Sequence, residues 1–151
     1  MCENDLKNVV QIGIVVDNIE KAVESWSKLL GVEPPEIIET GPLEETKMEF
    51  RGRQSSGRAK LAFIKLENIV IELIEPIDGP STWREFLENR GPGIHHIAFD
   101  VGKPEECLEK LEGLGARVEQ RGMFRGGYYV YVDARKSLGA IIEILHHYRD
   151  R

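Results

Sequence analysis

The stretch QIGIV at residues 11–15 decides the fold, because HIAFD at residues 96–100 repeats it later in the chain. Both stretches have the apolar composition of a buried β-strand, and each is followed by apolar positions at the 3.6-residue spacing of an amphipathic helix. A glycine ends each helix pattern, Gly31 in the first copy and Gly115 in the second. The chain therefore contains one structural unit written twice.

Each copy also closes on a similar strand, IELI at residues 71–74 and IEIL at residues 142–145. Further strand patterns separate the helix from the closing strand, so each half is predicted to be β-α-β-β-β. This order predicts an α+β fold with mostly antiparallel pairing rather than a doubly wound parallel sheet.

Neither half has enough apolar surface for a core of its own, so we expect a single domain over residues 8–148. It comprises module 1 (8–78), a linker helix (79–92) and module 2 (93–148). Within module 1, the extended region 36–50 predicts two strands around a turn.

The composition excludes several function classes. Of the 151 residues, 41% are apolar and 30% are charged, as in soluble globular proteins, and no apolar run approaches the roughly 18–20 residues of a membrane span. The net charge of −6 argues against a nucleic-acid partner. The N-terminus lacks the layout of a signal peptide. Cys2 and Cys107 form no motif and their spacing suggests no disulfide framework, so we expect a cytoplasmic location.

Polar side chains fall at equivalent places in the two first strands. Because side chains alternate between the faces of a strand, Gln11 and Gly13 share the face away from the helix. In the second copy His96 and Ala98 take the equivalent face, and the alternation selects His96 over His95 as a candidate ligand. A small residue beside each polar one leaves room for a bound group.

The two closing strands carry Glu72 and Glu143, each flanked by apolar residues that face the other way. A carboxylate in a largely apolar strand is unfavourable unless it is paired, hydrogen-bonded or coordinated. Taken singly, a strand glutamine, a strand glutamate or a histidine pair is more often structural than a ligand. The conjunction of two carboxylates with Gln11 and His96 at matching places therefore predicts a shared metal site.

These residues resemble those of the vicinal oxygen chelate superfamily, which comprises glyoxalases, bleomycin resistance proteins and dioxygenases. The matching stretches are residues 11–22, 71–76, 93–101 and 139–144. In the sequence of these stretches the chain is most similar to methylmalonyl-CoA epimerases, whereas its ligand set is similar to that of lactoylglutathione lyases (glyoxalase I).

The resemblance implies paired βαβββ modules that form a half-barrel cleft around one divalent ion. The implied ligands are Gln11, Glu72, His96 and Glu143. Epimerases of this kind usually carry histidine where Gln11 stands. An amide oxygen makes the site harder, which favours Co, Ni, Mn, Mg or six-coordinate Zn.

The chemistry that the resemblance implies is removal of a proton next to a carbonyl, with the ion stabilising the enolate as a Lewis acid. Glu143 is the first candidate for the proton shuttle, because a ligand that can dissociate would sit beside the substrate carbon. An epimerase also needs an acid/base group on the opposite face, for which Glu45 and Glu49 are the nearest candidates. Such an enzyme is expected to form a homodimer.

A turn before the final strand is expected to bind the substrate's tail. Arg135 and Lys136, followed by Ser137, could meet a carboxylate or a CoA phosphate. Three functions stay open: an epimerase acting on an acyl-CoA, a glyoxalase-type lyase acting on a thiol hemithioacetal, and a non-catalytic, resistance-type binder of small molecules. Gln11 favours the second, and it does not supply the two-histidine, one-carboxylate set of ring-cleaving dioxygenases.

Overall fold

The computed structural model describes residues 2–148, which form a curled, half-barrel sheet of ten strands and six helices. The strands are β1 (Gln11–Val15), β2 (Ile37–Glu39), β3 (Glu49–Phe50), β4 (Arg53–Gln54), β5 (Arg58–Lys65), β6 (Val70–Asp78), β7 (Gly93–Asp100), β8 (Arg117–Phe124), β9 (Gly127–Ala134) and β10 (Ala140–His147). The helices are α1 (Cys2–Asp5), α2 (Ile19–Leu30), α3 (Leu43–Thr46), α4 (Thr82–Arg90), α5 (Pro104–Gly113) and α6 (Arg135–Leu138). The predicted α+β class is confirmed.

The two halves of the sheet repeat one topology. Outward from the centre, the first half runs β1-β6-β5-β2 and the second runs β7-β10-β9-β8, with β1 and β7 antiparallel at the junction. Within each half the first strand pairs in parallel with the closing strand, β1 with β6 and β7 with β10, and the neighbouring pairings are antiparallel. The first and closing strands of both copies therefore lie side by side in the middle of the sheet.

The helices α2 and α5 cover the outer face of the two halves. The side chain of Asn18 accepts a hydrogen bond from the Lys21 backbone N–H at 3.1 Å, and Gly31 ends α2 in the left-handed region at φ 65°. Each helix buries an apolar stripe on the strands beneath it, Val23 of α2 on the first half and Leu111 of α5 on the second. These helices follow the periodicity of the sequence.

The segment of residues 40–57, hereafter the arm, departs from the predicted two strands around a turn. β2 pairs with β5, but β3 pairs with β4 and with β8 of the second half, where Phe50 faces Gln120. Pairing partners 70 positions apart are invisible to local patterns. The arm thus crosses the concave side of the sheet, where Met48 is buried.

Helix α4 also lies on the concave side. It contacts β1, β6 and β7, and the indole nitrogen of Trp83 donates to the Tyr131 hydroxyl at 3.1 Å. In the turn between β3 and β4 of the arm, Arg51 donates to both carboxylate oxygens of Glu85 (2.6 and 2.7 Å) and to Glu119 (2.8 Å). The concave side is therefore covered by α4 and the arm, which this arginine joins.

The cysteine pairing and the lengths of the helices both bear on the expected location. Cys2 and Cys107 form a disulfide between α1 and α5, with Cα atoms 5.4 Å apart, so the expectation of no disulfide is wrong. The reason is that a sequence separation of 105 residues carries no information on distance, which the packing of α1 on α5 decides. Within residues 2–148, none of the helices has the length and apolar character needed to cross a membrane.

Candidate metal centre

The four predicted ligands lie on two short rows across the centre of the sheet. Each row has a small residue in the middle and a polar residue on either side. The first row is Glu72 (β6), Gly13 (β1) and His96 (β7); the second is Gln11 (β1), Ala98 (β7) and Glu143 (β10). The two rows are the same arrangement generated twice, once from each copy of the repeat.

The polar ends of the rows converge on His96. Its Nε2 atom lies 3.0 Å from Glu143 Oε1 and 3.5 Å from Glu72 Oε1, and one ligand atom from each of these residues lies within 4.8 Å of the others. The three residues are buried, with exposures of 1% for His96, 4% for Glu143 and 7% for Glu72. Two buried carboxylates and an imidazole nitrogen aimed at one point are a donor set suited to a divalent ion.

Gln11 completes this group through either end of its amide. With the oxygen turned inward, Oε1 lies 3.5 Å from His96 Nε2 and is available as a hard oxygen donor. With the amide turned over, its nitrogen donates to Glu143 Oε1 at 3.0 Å and Glu72 Oε1 at 3.2 Å. The same side chain can therefore satisfy the two carboxylates or face a cation.

Gly13 provides the space that the His96 ring occupies. A Cβ atom built at Gly13 would lie within 2.5 Å of three ring atoms of His96, Cε1, Nε2 and Nδ1. The sequence predicted room for a bound group beside each polar residue. At Gly13 the room is taken by the imidazole itself.

The electrostatics of the group follow from its burial. Burial raises the pKa of Glu72, the nearby Glu143 carboxylate adds to the rise, and the hydrogen bond with His96 opposes it. Burial opposes the charged form of His96, but the Glu143 and Glu72 carboxylates outweigh it and raise its pKa to about 9. In the protein without metal, His96 is the cation that compensates the two buried carboxylates.

The stability of the metal-free protein should therefore fall with rising pH. A pKa near 9 in the folded state, against about 6.5 in the unfolded chain, means that the folded protein holds the extra proton. The stabilisation is fully present below pH about 6.5 and is lost as the pH rises through 9, a change of roughly 3 kcal/mol. We expect urea unfolding in the presence of a chelator to show this loss, and to show it less in His96→Gln. Parallel pH curves for the two proteins would contradict the assignment.

His95 is a buried polar residue that strict alternation placed on the wrong face. Between Gly13 and Ile14 the pairing of β1 with β7 shifts by one residue, so that His96 faces Gly13 while Ile94 faces Ile14. The extra residue of this β-bulge is His95, and bulges re-aim side chains. Both imidazoles consequently point to the concave side, with their Nδ1 atoms 2.9 Å apart.

Other buried polar residues near the group were also missed. Tyr131 faces Glu143 in the sheet, and its ring centre lies 4.8 Å from that of His96. Tyr129, on the same face two residues earlier, accepts a hydrogen bond from the buried amide of Gln120 at 2.9 Å. Burial raises the pKa of both tyrosines, so they stay neutral. The alternation of YYVYV at residues 128–132 was the available signal for the shared face of the two tyrosines.

Comparison with known proteins places this geometry in a family. The family model for the Glyoxalase/Bleomycin resistance protein/Dioxygenase superfamily matches residues 10–132. The chain belongs to this superfamily. The resemblance seen in the sequence is thereby confirmed, and the match covers the first copy of the repeat and continues into the second as far as β9.

Individual proteins resemble the chain at low sequence identity. The ethylmalonyl-CoA/methylmalonyl-CoA epimerase of Cereibacter sphaeroides is 27% identical over 138 residues, which cover 88% of this chain and 92% of the relative. An uncharacterized Bacillus subtilis protein, YqjC, is also 27% identical, over 136 residues covering 88% of this chain and 87% of its own. A crystallised complex of Streptomyces coelicolor methylmalonyl-CoA epimerase with 2-nitronate-propionyl-CoA shares the fold, with a TM-score of 0.62, 18% identity, and coverage of 94% and 98%.

The other predicted site residues are not part of the buried group. Glu45 on α3 and Glu49 on β3 are exposed, and Met48 beside Glu49 is the buried residue of the arm. Neither glutamate has a hydrogen bond or ion pair to the buried group among the described residues. Their assignment as the second acid/base stays a prediction.

The predicted substrate-binding turn forms the exposed helix α6. Arg135 donates to both carboxylate oxygens of Asp133 at 2.9 Å and lines a cavity of about 280 Å³ that also borders Thr82 and Ile141. Lys136 and Ser137 are exposed, and neither is among the residues that line this cavity. Ile141, which lines the cavity, is the neighbour of His96 in the sheet. The cavity is therefore adjacent to the buried group.

Proposed function

We propose that this chain is a divalent-metal-dependent enzyme that removes a proton next to the carbonyl of an acyl-CoA, with methylmalonyl-CoA epimerase-like activity. The observation that carries the proposal is the convergence of two buried carboxylates, an amide and an imidazole on one point at the centre of a duplicated sheet. The 27% identity to an ethylmalonyl-CoA/methylmalonyl-CoA epimerase over most of both chains supports the choice of reaction.

The residues that would hold the ion are Gln11, Glu72, His96 and Glu143. The amide oxygen and two carboxylates are hard donors, so the set suits Co, Ni, Mn, Mg or Zn in a six-coordinate site. When bound, the ion would supply Lewis-acid stabilisation to negative charge on a substrate oxygen. Without it, the carboxylates are compensated by His96 and by the Gln11 amide nitrogen.

The group assigned to remove the substrate's proton is the carboxylate of Glu143. It is buried beside Tyr131 and Ala98, so bulk water does not compete with the substrate for this carboxylate. The acid/base on the other face of the substrate is assigned to Glu49 or Glu45, which would require the arm to move toward the buried group. The guanidinium of Arg135, which lines the cavity bordered by Thr82 and Ile141, is assigned to an anionic part of the substrate.

Deuterium exchange tests the reaction directly. The protein is stripped with a chelator, reloaded with each of the five ions in turn, and incubated with methylmalonyl-CoA in heavy water. We expect deuterium at the carbon between the carboxylate and the thioester only in reloaded samples, since only these have a complete site. Exchange at the uncatalysed rate with every ion would overturn the proposal.

A second candidate, a glyoxalase-type lyase, is favoured by one observation, the amide of Gln11 in the ligand set. Methylglyoxal with a thiol, assayed on the same reloaded samples, separates the two enzymes. A protein that takes up no divalent ion would instead point to a resistance-type binder. The homodimer and the cytoplasmic location stay predictions, and light scattering that reports the mass of one chain would contradict the dimer.

A further inference from the structure

The two histidines of β7 are joined by a hydrogen bond whose direction matters for the metal site. Their Nδ1 atoms lie 2.9 Å apart, so one nitrogen donates and the other accepts. His96 directs its other ring nitrogen, Nε2, at the two carboxylates. If Nε2 is the ligand atom, as the proposed function requires, the proton of the neutral ring must sit on Nδ1, because a coordinating nitrogen carries none.

The tautomer of His96 determines the tautomer of His95. Its Nδ1 must then be the acceptor, which places the proton of the neutral His95 ring on Nε2. That atom lies 3.1 Å from the hydroxyl oxygen of Thr82, which can accept it. The two ends of His95 therefore have partners suited to one tautomer.

The His95 ring is also held in place by packing. It is 3% exposed and makes edge contacts with Phe86 and Tyr131, at ring-centre distances of 5.3 and 5.2 Å. The ring is therefore fixed in position relative to both Thr82 and His96.

Thr82 is itself fixed from the other side. Its backbone N–H donates to the Oε1 atom of Gln120 at 2.8 Å, and Gln120 is 1% exposed. Ser81 caps the same turn of α4, where its hydroxyl accepts from the Arg84 backbone N–H at 3.0 Å. The hydroxyl of Thr82 is thus presented to His95 by the first turn of α4 and by β8.

We propose that His95 is a positioning residue for the metal centre: it accepts the Nδ1 proton of His96, donates its own Nε2 proton to Thr82, and so holds His96 in the metal-binding tautomer. This inference rests on the proposed metal site. It adds a role for the bulge in β7, without which His95 would lie on the opposite face of the sheet.

Imidazole nitrogen NMR of the zinc-loaded protein tests the tautomers. We expect His95 to show a pyrrole-type, protonated Nε2 and a pyridine-type, unprotonated Nδ1, and His96 to show a protonated Nδ1. Zinc uptake with the proton of His95 on Nδ1 would overturn this inference and leave the metal site standing. A protein that binds no zinc would overturn both, whereas a zinc protein with the expected tautomers but no deuterium exchange would overturn only the proposed reaction.

Zinc affinity of matched variants tests the positioning role. Asparagine can present an acceptor near the position of Nδ1 and leucine cannot, so His95→Leu should weaken zinc binding about 10–100-fold while His95→Asn stays within about threefold of the wild type. Equal losses in the two variants would reduce His95 to a packing residue and overturn the proposal.

A second pair guards against misfolding of the His95 variants. Thr82→Val removes the hydroxyl at nearly constant volume and should let the Nδ1-protonated form of His95 appear in the NMR spectrum of the zinc protein. Thr82→Ser keeps the hydroxyl and should retain the wild-type tautomer. Wild-type spectra in both variants would overturn the part of the proposal that assigns Thr82.

Discussion

Glu143→Gln is expected to slow deuterium exchange into the substrate by about 10²–10⁴-fold, the usual contribution of a general base. The amide has nearly the shape of the carboxylate but cannot take up a proton. The substitution also removes an anionic metal ligand, which lies 3.0 Å from His96 Nε2. Loss of an outer-shell partner typically weakens metal binding by up to about 100-fold, and loss of a ligand should weaken the binding of Co or Zn by more than that. Exchange by mass spectrometry and metal titration measure the two effects separately.

The matched control is Glu109→Gln on α5. Glu109 is exposed, so the same change of charge there should leave exchange and metal affinity at wild-type values. The far-UV spectrum of Glu143→Gln should also match that of the wild type, since the volume is conserved. A variant that binds metal weakly yet exchanges deuterium at the wild-type rate when saturated would show that another group takes the proton.

Gly13→Ala is the second change with a large expected effect. The new methyl group would overlap the imidazole of His96, so the ring must leave its place or β1 must separate from β7. Overpacking of this kind destabilises proteins by about 1–3 kcal/mol. Because His96 can no longer face both carboxylates, divalent-ion binding should be lost, and calorimetric titration with chemical unfolding measures both losses.

Two comparisons isolate the cause. Gly113→Ala on α5 adds a methyl group where no atom lies within 4 Å, and should be neutral or stabilising by up to about 1 kcal/mol. In a His96→Ala background the space for the methyl group exists, so Gly13→Ala should destabilise much less there, with a coupling energy of about 0.5–3 kcal/mol. Additive losses would mean that the glycine serves the backbone of β1 rather than the imidazole.

The repeat made the centre of the fold predictable. Once β1 and β7 are read as copies, as are β6 and β10, the rows that bring Gln11, Glu72, His96 and Glu143 together follow from alternation and from the equivalence of the two halves. These are properties of local sequence pattern. The helices α2 and α5 were predictable for the same reason, because their periodicity and their terminal signals lie within a dozen residues.

What the pattern could not predict depends on contacts between distant residues. The bulge that turns His95 inward is decided by how β1 and β7 fit each other. The pairing of Phe50 with Gln120 and the disulfide of Cys2 with Cys107 join residues 70 and 105 positions apart. In each case the contact depends on the tertiary packing of the folded chain, and no local sequence pattern indicates it.

The route of the arm has a consequence for recombining related chains. The first half of the chain contributes β3 and β4 to the outer edge of the second half of the sheet, beside β8, so the two halves interleave rather than meeting at a plane. Severing the chain within the linker helix would strip β8 of its edge cover and leave the arm without a partner strand. A chimaera built from the halves of two relatives must therefore inherit the arm and its receiving strand β8 from the same parent.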